Sequence, residues 1–290
     1  MADPIRVVVQ RGDTVEAEHV VHAVAVRDGQ VTDSAGDPGL VTFMRSSAKP
    51  FQALPLAREE RDLPDTELAI ACASHDALPE HLAAVEALLA RAHATADDLE
   101  CGLDPESKLR HNCSGKHAGM LLHARTRGWP REGYRLAGHP VQEEGLALVA
   151  EAAGVAPDQI PTAVDGCGVV TFGLSLEAMA RTFAHLLSDD LDGAGRVVHA
   201  MRDNPVLIGG PAAADTALMQ AIPGAIAKRG AEGLMCLGLA DGTGVAVKVE
   251  DGANRAAGPA AGLFLGLGER LATTVINSRG EQVGRVFPRS

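Results

Sequence analysis

The chain has 290 residues, 46% hydrophobic and 22% charged, the make-up of a folded globular protein with one large domain or two subdomains on a shared core. Its formal charge of −12 repels phosphate backbones, no Lys/Arg cluster overrides that field, and no apolar run is long enough to cross a bilayer, so nucleic acid and membrane are not expected partners. The start, Met1-Ala2-Asp3-Pro4, does not read as a signal peptide, and five scattered cysteines without a CxxC pair argue for a reducing compartment, so the expected location is cytoplasmic.

In chain order, Ile5–Val9, His19–Val26 and Leu40–Phe43 read as strands, with Asp28-Gly29 a turn after the second. A helix is predicted from near Ser46 toward Glu60. Leu68–Cys72, short and apolar, reads as a buried strand. Helical periodicity follows at Pro79–Ala92, Gly115–Thr126, Val141–Ala152, Leu176–Leu186 and Gly193–Arg202. Ala221–Ala227, Leu234–Leu239 and Val245–Val249 look like strands, with Asp241-Gly242 at a hairpin position, and Ala256–Ala272 looks helical. Strands bracket the sequence and helices fill its middle. The expected class is α+β, an antiparallel sheet built from both chain ends with a helical subdomain over about residues 76–220, the whole forming one domain.

Three segments carry reactive groups. In Arg45-Ser46-Ser47-Ala48-Lys49-Pro50, residues three apart at a helix start share a face, so Ser46 and Lys49 become neighbours, and Pro50 suits a first helical turn. A serine hydroxyl needs a base, and lysine serves only when neutral. At an ordinary pKa of about 10.4, roughly one lysine in 2,500 is neutral at pH 7, so lowering it to about 7 takes roughly 4–5 kcal/mol. Burial and a second cation, with Arg45 a candidate, could supply that. The competing reading is a serine cap beside a solvated lysine. Cys72-Ala73-Ser74-His75-Asp76 offers a second serine where a strand would lead into a helix, or else a cap for that helix. His111-Asn112-Cys113-Ser114-Gly115-Lys116-His117 lacks the glycine spacing of a phosphate loop; with Cys167 of Asp165-Gly166-Cys167 it could hold zinc.

Together, RSSAKPFQ at 45–52, CASH at 72–75, NCSGKHAGM at 112–120 and DGC at 165–167 resemble the asparaginase II family, the inducible, thermolabile rhizobial type. The resemblance implies a fold similar to serine β-lactamases and glutaminases, hydrolysis of L-asparagine, two Ser–Lys pairs and a homodimer. Ser46 and Lys49 match the first pair, and Ser74 matches the serine of the second. Its lysine is expected at Lys228, with Lys248 the rival. A zinc ion held by Cys113, Lys116 and Cys167 is also implied, tuning affinity rather than activating water. Asp165 is a candidate for the substrate ammonium, and Arg45 or His117 for its carboxylate. The segment between Cys101 and His111 is shorter than in the family. On helix geometry Ser46 is the favoured nucleophile. Three rivals stand: a β-lactamase or peptidase, whose Ser-Asp-Asn and Lys-Thr-Gly motifs are missing; a Cys113 nucleophile; and a zinc-dependent binding or sensor protein without turnover.

Overall fold

A computed structural model describes residues 2–102, 107–188 and 190–289. Residues 103–106, inside the short Cys101–His111 segment, lie outside the described residues. In chain order the strands are β1 (Ile5–Arg11), β2 (Thr14–Arg27), β3 (Gln30–Ala35), β4 (Val41–Phe43), β5 (Thr162–Val164), β6 (Val170–Ser175), β7 (Ile226–Gly230), β8 (Leu234–Gly238), β9 (Gly244–Val249), β10 (Thr273–Ile276) and β11 (Gln282–Arg289). The large sheet runs β10-β11-β1-β2-β9-β8-β7, with β3 beside β2 and every neighbouring pair antiparallel. It is therefore an α+β protein whose main sheet comes from both chain ends. Helices and a small β4-β6-β5 sheet lie between.

The strands of the sheet centre are apolar on both sides because both faces are covered. All six residues of β9 are buried. Helix Leu176–Leu186 packs on β9, β2 and β8, while helix Asn254–Phe264 packs on β11, β9, β1, β2 and β8. The first helix comes so close that a Cβ on Gly244 would sit 1.9 Å from the Ala180 carbonyl oxygen. Strand side chains alternate, and Lys228, Cys236 and Ala246 share a register row in step with Gly244. Lys228 therefore points toward the helices from the middle of the sequence, not toward helix Asn254–Phe264.

Several sequence expectations change. Leu68–Cys72 is not a strand: Asp65–Ala71 is a helix, with Asp65 and Glu67 in its first turn. A short apolar run suits either structure, and the acidic first turn favours the helix. The helix expected from Ser46 begins as a 3₁₀ turn, Arg45–Ala48, and continues as two short helices, Lys49–Gln52 and Leu54–Glu59. The strand expected at Ala221–Ala227 lies later, at Ile226–Gly230, after helix Ala214–Ala221 and a turn at Pro223-Gly224. Helix 254–264 stops at Phe264, where Gly266 and Gly268 follow with positive φ, rather than running to Ala272.

Candidate active site

Ser74 follows helix Asp65–Ala71 and is pinned on both sides. Its N–H donates to the Ile208 carbonyl at 2.8 Å, and the next N–H, of His75, donates to the Asn112 carbonyl at 3.2 Å. His75 Nδ1 accepts from Ala77 N–H at 3.1 Å, so Nε2 carries the hydrogen and donates to Ser114 Oγ at 2.9 Å. Burial, together with the charge on Lys49, pushes His75 down to about 3, leaving a neutral tether rather than a base. Through this tether the CASH segment is tied to the start of helix Ser114–Arg127. Ser74 is not a helix cap; Leu78 occupies that place.

Two amines converge on the Ser74 hydroxyl. Lys49 Nζ and Lys228 Nζ each lie 2.9 Å from Oγ, and both lysines are completely buried. Lys49 also donates to the Ala73 carbonyl, and Lys228 to that of Arg229 at 3.0 Å. Lys248, the rival of Lys228, instead donates to the Val249 carbonyl among Glu232, Asp251 and Glu250. Burial lowers Lys49, opposed by Cys113 and reinforced by Lys116; the cation acting on it is thus Lys116, not the expected Arg45. Burial brings Lys228 to about 7 against the pull of Asp215, with Lys49 and Arg229 pushing the same way as burial.

Ser46 faces the same cleft as Ser74, a cavity of about 640 Å³ also lined by Asn112 and Arg229. The Lys49 backbone N–H donates to the Ser46 carbonyl, but among the described residues no hydrogen bond joins the two side chains; the expected neighbours share a turn, and the amine is directed to Ser74. Arg45, just before Ser46, has φ +50°, a conformation that non-glycine residues adopt at a cost of about 1–3 kcal/mol. Its N–H donates to Thr171 Oγ1 at 3.0 Å, and its guanidinium pairs with Asp165 at 2.5 Å. The two candidate substrate-binding residues Arg45 and Asp165 are therefore bound to each other, and neither is among the cleft-lining residues. His117 is fully buried, with Nδ1 2.7 Å from the Tyr134 hydroxyl and Nε2 without a hydrogen-bond partner among the described residues.

Asp215 and Arg229 are site residues that the sequence does not announce. Asp215 is completely buried, 3.5 Å from Lys228 Nζ and 3.2 Å from Arg229 Nη1. Burial opposes its charge, but Lys228 and Arg229 outweigh burial and hold the carboxylate below its ordinary value. Arg229 Nη2 donates to the Ser74 carbonyl at 2.6 Å, completing a bracket around the serine. The available signal is Lys228-Arg229 itself: two adjacent cations inside an apolar strand region require a buried counter-charge.

Cys113, Lys116 and Cys167 are buried together, with Lys116 Nζ 3.0 Å from Cys167 Sγ. A hydrogen bond from Cys167 keeps Cys113 well below the ordinary thiol range, outweighing burial, while the same bond and burial raise Cys167. Burial disfavours the Lys116 charge, yet the two sulfurs outweigh it and hold the ammonium. Among the described residues no three His, Cys, Asp or Glu residues are grouped to hold a metal, so any such site depends on the lysine. Two sulfurs and an amine in contact suit zinc with one open position, provided the amine gives up its proton. All five cysteines are free. Among the described residues, no helix is long and apolar enough to cross a membrane.

A family model described as L-asparaginase II matches residues 7–286. No curated protein matches the sequence significantly. Similar solved structures include a β-lactamase from Mycobacterium bovis, 13% identical, covering 79% of this protein and 86% of that one with a TM-score of 0.43. Another is a hydrolase with promiscuous acyltransferase activity, 12% identical, covering 83% and 91% with a TM-score of 0.43.

Proposed function

The chain belongs to the L-asparaginase II family, and from that premise we propose that it hydrolyses the side-chain amide of L-asparagine to L-aspartate and ammonia through an acyl-enzyme. The observation that carries this reading is a single oxygen, Ser74 Oγ, 2.9 Å from each of two buried amines and open to the cleft. Two ammonium groups on one oxygen repel each other, which together with burial keeps at least one amine neutral. That amine takes the hydroxyl proton as Oγ attacks the carboxamide carbon. The other, still cationic, stabilises the negative charge that develops on the carbonyl oxygen. The C–N bond breaks, ammonia leaves with the transferred proton, and a β-aspartyl ester remains on Ser74. Water, losing a proton to the same amine, splits the ester.

A second reading reverses the serines. Ser46 is half-buried whereas Ser74 is only 3% exposed, and in this version Ser46 attacks while Ser74 passes its proton to the amines. Quenched-flow mass spectrometry of the protein turning over L-asparagine, beside Ser46→Ala and Ser74→Ala, separates the two. The expected adduct is on Ser74, and Ser74→Ala loses ammonia release by about a thousandfold or more. An adduct on Ser46 exchanges the roles. Turnover surviving in both variants removes Ser–Lys catalysis, and absence of ammonia release by the unaltered protein removes the asparaginase assignment.

The donor set also leads us to propose that Cys113, Lys116 and Cys167 hold zinc, which when bound supplies a Lewis-acid charge near the lysines. None of the steps above passes through it. Elemental mass spectrometry should find about one zinc per molecule, lost in Cys113→Ser. Metal-free protein with full activity after zinc is offered ends this part of the reading. The buried core is continuous from β1 through the helices to β11, which supports treating residues 1–290 as one domain with a helical subdomain over 76–220.

A further inference from the structure

The cleft is larger and more cationic than free asparagine requires. At about 640 Å³ it falls within the range of about 300–1,000 Å³ that buries drug-sized ligands, well beyond what one amino acid fills. In a protein with 38 acidic and 26 basic residues, its described lining includes Arg229, Arg255 and Arg270 and no Asp or Glu. Such an inversion of the overall charge concentrates a positive field on the route to the serines.

The three arginines are not equivalent. Arg229 is already paired with Asp215 and Asp76. Arg255 donates through Nε to His19 Nε2 at 3.1 Å. Arginine cannot accept, so that histidine nitrogen is bare, and the hydrogen on Nδ1 goes to Asp251 at 2.6 Å. The His19–Asp251 pair thereby orients Arg255 through one nitrogen and leaves its two terminal nitrogens uncommitted among the described residues. Arg270 has no side-chain hydrogen bond or ion pair among the described residues. The rest of the cleft lining is mostly apolar, with Ala213, Ala217, Pro259 and Leu271, and carries Asn112, Asn254 and Thr273 as further polar groups.

We propose that the cleft takes asparagine within short peptides, with Arg255 and Arg270 binding the free C-terminal carboxylate of a residue that follows the asparagine. This rests on the amidohydrolase reading above and extends its substrate class. The reaction is the same: the carboxamide C–N bond breaks, ammonia leaves, water supplies the new oxygen, and the product is the aspartyl peptide. The peptide bond stays intact.

The test compares L-asparagine, L-asparaginyl-L-alanine and L-asparaginyl-L-alaninamide, reading the aspartyl product by chromatography. The expected result is turnover of the dipeptide acid with a KM about tenfold or more below that of its amide, the size of one charge-assisted hydrogen bond. In Arg255→Gln/Arg270→Gln that difference should vanish, and in Arg270→Lys it should persist in part, with thermal melting reporting the fold of each variant. Asparagine turnover without dipeptide turnover, or equal KM values for acid and amide, overturns the peptide proposal and leaves the asparaginase reading intact. No turnover of any substrate overturns both.

Discussion

A hydroxyl can donate one hydrogen and accept two, and this counting governs Ser74. If Lys49 and Lys228 were both ammonium groups, each would donate to Oγ and the serine proton would have no acceptor between them. One neutral lysine reverses one of those bonds and lets the serine donate to it. Lys228, near 7, is placed to switch within the physiological range. Its charged form is populated below that value and cannot accept a proton, so kcat/KM should climb with pH along an acid limb centred near 7. Asp215 pulls this value upward, so Asp215→Asn should move the limb to lower pH. The same change leaves Lys228 and Arg229 without their buried counter-charge and should lower the melting temperature, at a cost of about 3–5 kcal/mol. A pH–rate series on both proteins checks it; a limb that stays in place, or moves up, removes Lys228 from the role of base. At this scale much is legible in the sequence: residue order and family resemblance single out Ser46, Lys49, Ser74 and Lys228, and the structure gathers the last three. The ranking of the serines is not legible, because helix spacing says which residues share a face but not where a buried amine points.

At the scale of elements, the site depends on two segments meeting closely. Helix Ser114–Arg127 approaches the end of helix Asp65–Ala71 so tightly that a Cβ on Gly115 would sit 2.2 Å from the Ile70 carbonyl oxygen. The obstacle is backbone, which cannot rotate away. Gly115 is thus the contact that lets Cys113 and Lys116 stand beside Lys49, and it explains the glycine inside the Asn-Cys-Ser-Gly-Lys motif. Gly115→Ala should separate the helices and destabilise the fold by about 1–3 kcal/mol, seen as a melting temperature several degrees lower. An unchanged melting curve would show that the two helices have slack. The shift of β7 from its expected place has a related cause. Lys228-Arg229 hides the strand, since two charges interrupt an apolar run, and the buried Asp215, with Asp76 beside Arg229, makes that interruption tolerable. β10 and β11 escape a reading by pattern because Thr273–Ile276 and Gln282–Arg289 are half-exposed and carry polar and charged residues.

For the whole molecule, the layering is readable because strand-like runs gather at the two ends and amphipathic helices between them, which leaves few ways to bury both. The sheet order itself is not readable, since local pattern carries no information on which distant strands pair. That order joins the first strand to the last: β1 pairs with β11, placing Arg6 opposite Arg289. The groups gathered at the cleft are similarly far apart in sequence, Lys228 and Ser74 being 154 residues from one another. A ribosome making this protein therefore releases the serine segment long before its second amine exists, and β1 waits for its outer neighbour until β11 has been made. Until β7 follows, the nascent polypeptide carries Ser74 with Lys49 alone, so the two-amine arrangement around one hydroxyl is a property of the folded sheet and of no earlier fragment.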